Sequence, residues 1–236
     1  MADHLRMEIG TGHIKNDDLL PPEPELMARF AVSRPTLREA IRILETEGLV
    51  TTSRGGRKGA RVHHPSSAMA ARSAGFVLQL RGATILDVFE LACILVPAAA
   101  RKVAVLEPPA DLTELKAIIL EFRKHADRPR ELARLIRRFD VILCDLSGNE
   151  ALKFVSQVMA EIIDAQIESI PERAQDLPRE NAADIAPSQE RMRDILDALE
   201  QQDGIRAEKL LRTRLEELVL HHKRVVDHSH RLKIIS

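Results

Sequence analysis

Ser33–Val62 reads SRPTLREAIRILETEGLVTTSRGGRKGARV, and this stretch decides the fold of the N-terminal part of the chain. Ser33 is a favoured N-cap residue, so a helix is predicted to open there. Leu37, Ile41 and Leu44 then recur at helical spacing and define an apolar face. The helix is predicted to run to Glu47 and stop at Gly48, a residue suited to the C-cap. Arg34, Arg38 and Arg42 are spaced four apart and form a basic stripe roughly opposite the apolar face. Beyond Gly48, Leu49–Thr52 and Ala60–His63 are short strand-like pieces. They flank a tip, Ser53–Arg61, where Arg54, Arg57, Lys58 and Arg61 sit among Gly55, Gly56 and Gly59.

Upstream, Glu23–Phe30 is predicted as a short helix, and Pro21 and Pro22 stop whatever precedes it. Asp3–Gly12 is a third amphipathic segment, with Leu5 and Ile9 on one face. Helix, helix, turn, helix and hairpin is the order of a winged helix-turn-helix. The basic face of the third helix has the arrangement needed to reach phosphates and guanine edges in a major groove. Ser33 and Thr36 add hydroxyls at its first turn, where backbone N–H groups favour an anion. Glycines in the tip allow close approach, and its cations supply phosphate or minor-groove contact. Three arginines on one helix face are more often a solvated surface, and a basic glycine-rich loop also suits a nucleotide phosphate. However, the chain contains neither GxxxxGK[ST] nor GxGxxG.

The 236 residues are 44% hydrophobic and 30% charged, which describes a globular chain with a sizeable core, in one or two domains. The net charge of −1 is no nucleic-acid signature by itself, so charge distribution has to carry that inference. The longest apolar run, Leu91–Ala100, is too short to span a bilayer, and MADHLRMEIG lacks the pattern of a secretory signal. Cys93 and Cys144 stand alone, without CxxC or a Cys/His cluster, as in a reducing cytoplasm; both are expected in the core. Tyr and Trp are absent, and Leu, Ala, Arg and Glu recur at helical spacing.

The fold class expected is therefore mainly α. A winged helix-turn-helix over 1–64 and a linker over 65–72 are expected to precede an all-helical domain over 73–236. That domain is read as an antiparallel bundle with helices near 68–80, 84–105, 110–126, 129–147, 149–169, 188–202 and 204–228. Pro97 is expected to kink the second of these helices. Ile170–Pro187, with three prolines, reads as a long loop. His221 and His222 are expected at a solvated helix end, with His228 and His230 nearby.

The run LLPPEPELMARFAVSRPTLREAIRILETEGLVTTSRGGRKGARV (Leu19–Val62) resembles the N-terminal domain of GntR-family bacterial transcription regulators, whose pattern is roughly LPSERELAxxLGVSRxxVREAlxxLexeGLv followed by a wing. The resemblance implies DNA contacts from Ser33, Arg34, Thr36 and Arg38, and from Arg54, Gly55, Gly56 and Arg57 of the wing. Pro24 departs from that pattern. It stands where most members carry a DNA-contacting arginine, so one cation is lost at the start of the second helix.

Farther along, three stretches resemble the FCD effector domain of the FadR subfamily: ILDVFELACILVPAAARKVA (Ile85–Ala104), IRRFDVILCDLSGNEAL (Ile136–Leu152) and MRDILDALEQQDGIRAEKLLRTRL (Met192–Leu215). Many members of that family bind a divalent metal. The implied ligand positions hold Ile136, Asp140, Met192 and Arg214 here, which is too poor a set for any ion, so no metal or other cofactor is expected. Ala92 and Val96 replace an inward Arg and Glu.

Three readings of this altered pocket stay open. Asp140 and Arg214 fill it as a buried pair; it takes a lipid-like effector such as a fatty acid or acyl-CoA, with Arg214 at the charged end; or Arg214 holds a small carboxylate. The function implied is a cytoplasmic, homodimeric transcription regulator, a repressor by resemblance, acting on a pseudo-palindromic double-stranded operator, with no membrane partner. An enzyme is disfavoured, because no catalytic constellation or phosphate loop is present. A non-specific DNA-coating protein is the other alternative.

Overall fold

The computed structural model describes residues 1–52, 59–125, 128–168, 182–225 and 232. The wing-tip residues Arg54, Gly55, Gly56 and Arg57 lie outside them, as do His228, His230 and most of the expected loop. The chain divides into two compact units, Met1–Ser66 and Ser67–Ser236.

The first unit contains α1 (Ala2–Gly10), α2 (Glu23–Phe30), α3 (Arg34–Thr46) and a hairpin of β1 (Val50–Thr52) and β2 (Ala60–Val62). The strands pair antiparallel with Val50 opposite Val62. Residues 17–20 lie along β2: Leu20 N–H donates to Ala60 O and Val62 N–H to Asp18 O, both at 2.8 Å. Leu5 and Ile9 of α1, Leu26 of α2, Leu37 and Leu44 of α3, and Val50 and Val62 of the hairpin form one buried cluster. Three short helices and a hairpin that could not be stable alone thus bury their apolar faces against one another. Of the expected α3 face, Leu37 and Leu44 are fully buried and Ile41 is partly so. Ala40 completes the face.

The second unit is seven helices among the described residues: α4 (Ser67–Leu80), α5 (Ile85–Ala104), α6 (Thr113–Phe122), α7 (Pro129–Leu146), α8 (Glu150–Glu168), α9 (Ala182–Glu200) and α10 (Gly204–Val225). A single 3-10 turn, Arg123–His125, follows α6. α10 runs antiparallel along α5, because Glu90 pairs with Lys223 and Arg101 with Glu208. Thr84 caps α5 in a reciprocal box with Asp87. The core takes side chains from α4 through α10, including Ala71, Val96, Phe139, Met192 and Leu211.

Two boundaries bear comparison with expectation. α4 begins at Ser67, one residue before the helix expected near 68–80, and its first residues overlap the expected linker while Ala71 and Gly75 are buried. α9 begins at Ala182, so the end of the expected loop, Pro187 included, is helix. α5 continues through Pro97 as one helix, with Pro97 buried on its inner side.

Candidate nucleic-acid interface and candidate effector site

In the first unit the geometry is set by the entry into α3. α2 ends at Ala31, which takes up the left-handed region at φ 50°, and this reverses the chain toward Ser33. Ser33 is extended (φ −75°, ψ 159°), and its hydroxyl accepts from the Thr36 backbone N–H while lying 2.9 Å from Thr36 Oγ1. The cap therefore fixes both hydroxyls at the first turn. Pro35, inside that turn, has no N–H that the helix would leave unpaired.

Ser33, Arg34, Thr36 and Arg38 are all exposed, on the side of α3 away from Leu37 and Leu44. The three stripe arginines are not equivalent. Arg42 is forked onto Glu39, with Nε at 3.1 Å and the terminal nitrogen at 2.8 Å. Each holds the other's charge: the Arg42 hydrogen bond lowers the Glu39 pKa and Glu39 raises that of Arg42. Arg34 Nε stands 3.7 Å from Glu23 of α2, a looser exposed pairing. Arg38 has no ion pair among the described residues. The sequence alone could not separate these cases, although the i, i+3 spacing of Glu39 and Arg42 was a signal.

At α2, Pro22 stands at the N-cap without a side-chain bond and Pro24 occupies the first turn, while Glu23 and Glu25 supply only negative charge. That end of α2 offers neither cation nor hydroxyl to a phosphate. At the C-terminal end of α3, Arg6 of α1 grips Glu47 through two nitrogens, at 2.9 and 2.6 Å, and also pairs with Asp3.

In the second unit the structure brings Asp140 and Arg214 together: the guanidinium donates to Asp140 Oδ1 at 2.5 Å, and both side chains are largely buried. Burial pushes the Asp140 carboxyl above its ordinary value, with Arg214 opposing the rise. Ala92, Val96 and Met192 are buried in the same core, and Ile136 packs against it half-buried. These residues do not suit a divalent ion. Ile136 and Met192 are apolar, and Arg214 occupies the one carboxylate with a permanent positive charge. No group of three or more His, Cys, Asp or Glu side chains suited to a metal occurs among the described residues.

Sequence reasoning missed Arg137, one turn before Asp140. It is nearly buried, pairs with Asp164 of α8 and has its pKa lowered by burial against the pull of Asp164. It reads as an ordinary solvated arginine in the run IRRFD, and only the packing of α7 on α8 distinguishes it from Arg138.

His221 is exposed near the end of α10 as expected, but its neighbour His222 is half-buried. The His222 ring lies against Phe89, tilted by 56° with centroids 4.8 Å apart, and sits 3.0 Å from Leu218 O, and burial lowers its pKa. Cys144 is buried, its thiol pushed up to about 12 by desolvation, and Cys93 is half-buried. No helix among the described residues is long and apolar enough to cross a membrane.

Comparison with known proteins bears on both units. Residues 1–62 match the family described as bacterial regulatory proteins, gntR family, and residues 87–217 match the FCD domain. The repressor NanR of Salmonella newport (strain SL254), an HTH-type transcriptional repressor, is 28% identical over 216 residues, which are 89% of this chain and 77% of that protein. The Glc operon transcriptional activator of Escherichia coli (strain K12) is 23% identical over 168 residues, 69% of this chain but only 65% of the activator's length. Among solved structures, Streptococcus agalactiae GntR superposes with a TM-score of 0.64 at 23% identity, covering 93% of this chain and 97% of that one, a likeness of fold. These families are transcription regulators and not enzymes. A helix-turn-helix unit with an exposed basic third helix, followed by a helical FCD unit, makes this chain a member of the gntR family of bacterial regulatory proteins.

Proposed function

We propose that the protein is a cytoplasmic, sequence-specific regulator that binds operator DNA as a homodimer, one α3 per half-site, with the sign of regulation most simply repression. The observation that carries this reading is Arg38. It is exposed, free of any ion pair among the described residues, and one turn along from Arg34 on the outward side of α3. A guanidinium so placed is available to take a guanine edge through two parallel hydrogen bonds. Arg34 would leave Glu23 for a phosphate or base, and Thr36 and Ser33 would meet the backbone. Arg54, Gly55, Gly56 and Arg57 are assigned to the wing contact by resemblance. Phe76, Leu91, Ile94 and Phe154 are exposed apolar side chains of the second unit, the kind of surface a second copy would cover.

Selection from a random duplex pool tests the reading. It should return a pseudo-palindrome with half-sites spaced by whole helical turns. Recovery of unrelated sequences would leave only charge-driven coating.

The effector would occupy the second unit among Ala92, Val96, Ile136, Asp140, Met192 and Arg214. It would be an organic acid, lipid-like (a fatty acid or acyl-CoA) or a small carboxylate, whose charged end meets Arg214. A second reading has support from a specific observation: with Asp140 and Arg214 already paired at 2.5 Å, the pair itself fills the site. A ligand raises the melting temperature by mass action, and a filled site does not respond, so thermal shift separates the two.

A further inference from the structure

Asp140 lies between two guanidiniums. Arg214 of α10 donates to it directly, and Arg137 of α7 acts on it electrostatically while donating to Asp164 of α8. Arg214 is 9% exposed and the Arg137 side chain 12% exposed, yet the Nε–H of each is buried without a hydrogen-bond partner among the described residues. A buried charged donor left unpaired is costly, and two such donors flanking one carboxylate form an incomplete site for oxygen acceptors. With both acids ionised the four groups sum to zero, so an added anion would leave an uncompensated negative charge at low dielectric.

We infer that the second unit binds an oxyanion at Arg137 and Arg214, and that binding is coupled to uptake of one proton from solvent by Asp140. The inference rests on the effector reading above and adds to it the ligand's charge and the pH dependence of its capture. Asp140 Oδ gains the proton, its hold on Arg214 weakens, and the guanidinium turns its free donors to the ligand. Burial already favours the neutral form of this carboxyl. The other groups that face the cluster do not substitute for it. Asp164 is more than a third exposed and remains paired with Arg137. Cys144 on α7 and Cys93 on α5 keep their protons, as burial raises both. Arg134 on α7 is engaged by Glu131 and Glu168, and Met192 on α9 is uncharged.

The test is calorimetric titration of the full chain with sulfate, succinate and octanoate at pH 6.5 and 8.0, in buffers of different ionisation enthalpy. Sulfate represents a phosphate-like anion, succinate a small metabolite and octanoate a lipid-like acid. At least one is expected to bind with uptake of close to one proton, and its affinity should fall about tenfold per pH unit where Asp140 is ionised in the free protein. Asp140→Asn, which keeps an acceptor for Arg214, should bind the same anion with no pH dependence. Arg137→Gln should weaken it at both pH values. Failure of all three anions to bind, binding without proton uptake, or unchanged pH dependence in Asp140→Asn would overturn the inference. Duplex selection is a separate readout: a chain that selects operators but takes up no anion loses only this inference. A chain that takes up the anion and selects no duplex loses the regulator reading.

Discussion

Ala31 bears a conformational demand in the first unit, an L-residue at φ 50° in the turn between α2 and α3. The left-handed region costs a side chain roughly 1–2 kcal/mol, and glycine avoids most of that. Ala31→Gly should therefore raise stability by up to about 1 kcal/mol, read as a higher urea midpoint with unchanged slope. Asp140 and Arg214 make the opposite case. Truncation of one partner, as in Arg214→Met, leaves a buried charge unpaired and should cost about 3–5 kcal/mol; pairing it with Asp140→Leu should recover most of the loss. A double-mutant cycle on denaturant midpoints checks this, and additive losses would mean that the pair is not coupled.

The helices owe their ends to a few residues, and two of these ends carry measurable consequences. Thr84 and Asp87 close α5 with a capping box, and the backbone and hydroxyl bonds from Thr84 hold the Asp87 carboxyl below the ordinary carboxylate range. Its folded pKa being depressed, the stabilisation is present above the unfolded value and is lost as pH falls through the folded one. Asp87→Ala should cost about 1 kcal/mol at neutral pH, with the difference from wild type closing under acid. Gly204 opens α10 where that helix meets α5: a Cβ there would stand 2.9 Å from Arg101 O and 3.3 Å from Val105. Gly204→Ala should push the two helices apart and cost about 1–3 kcal/mol, seen as a lower melting temperature.

Helix positions were legible at this scale because capping residues and apolar spacing are local. Ser33, Gly48 and the Leu37/Leu44 face located α3 without any tertiary information. The helix expected near 68–80 coincides with α4 to within a residue, whereas the start of α9 was not legible. Prolines and polar residues read as loop until the bundle supplies a surface to pack on.

At the scale of the molecule, the division of labour follows from where charge is exposed and where it is buried. The first unit presents guanidiniums outward from a small apolar cluster. The second draws Arg137, Asp140 and Arg214 inward, among the helices of a larger one. The pairing of Asp140 with Arg214 was among the alternatives open in the sequence, since both residues fell on inward positions by resemblance. Arg137 was hidden, because helical spacing does not say which arginine of Arg137 and Arg138 turns toward α8. Light scattering should give twice the 26.4 kDa chain mass for the intact protein, and Ile94→Glu should shift it toward that of a single chain if α5 lies in the shared surface.

The most direct measurement is the equilibrium affinity of wild type and Arg38→Ala for a selected operator and for random duplex at one fixed salt concentration. Loss of a guanine contact should lower operator affinity by about 1–3 kcal/mol, roughly 5–150-fold, while random-duplex affinity changes little and the melting temperature holds. Operator and random duplex weakening by the same factor, or no weakening of either, would contradict the assignment of α3 as the reading element.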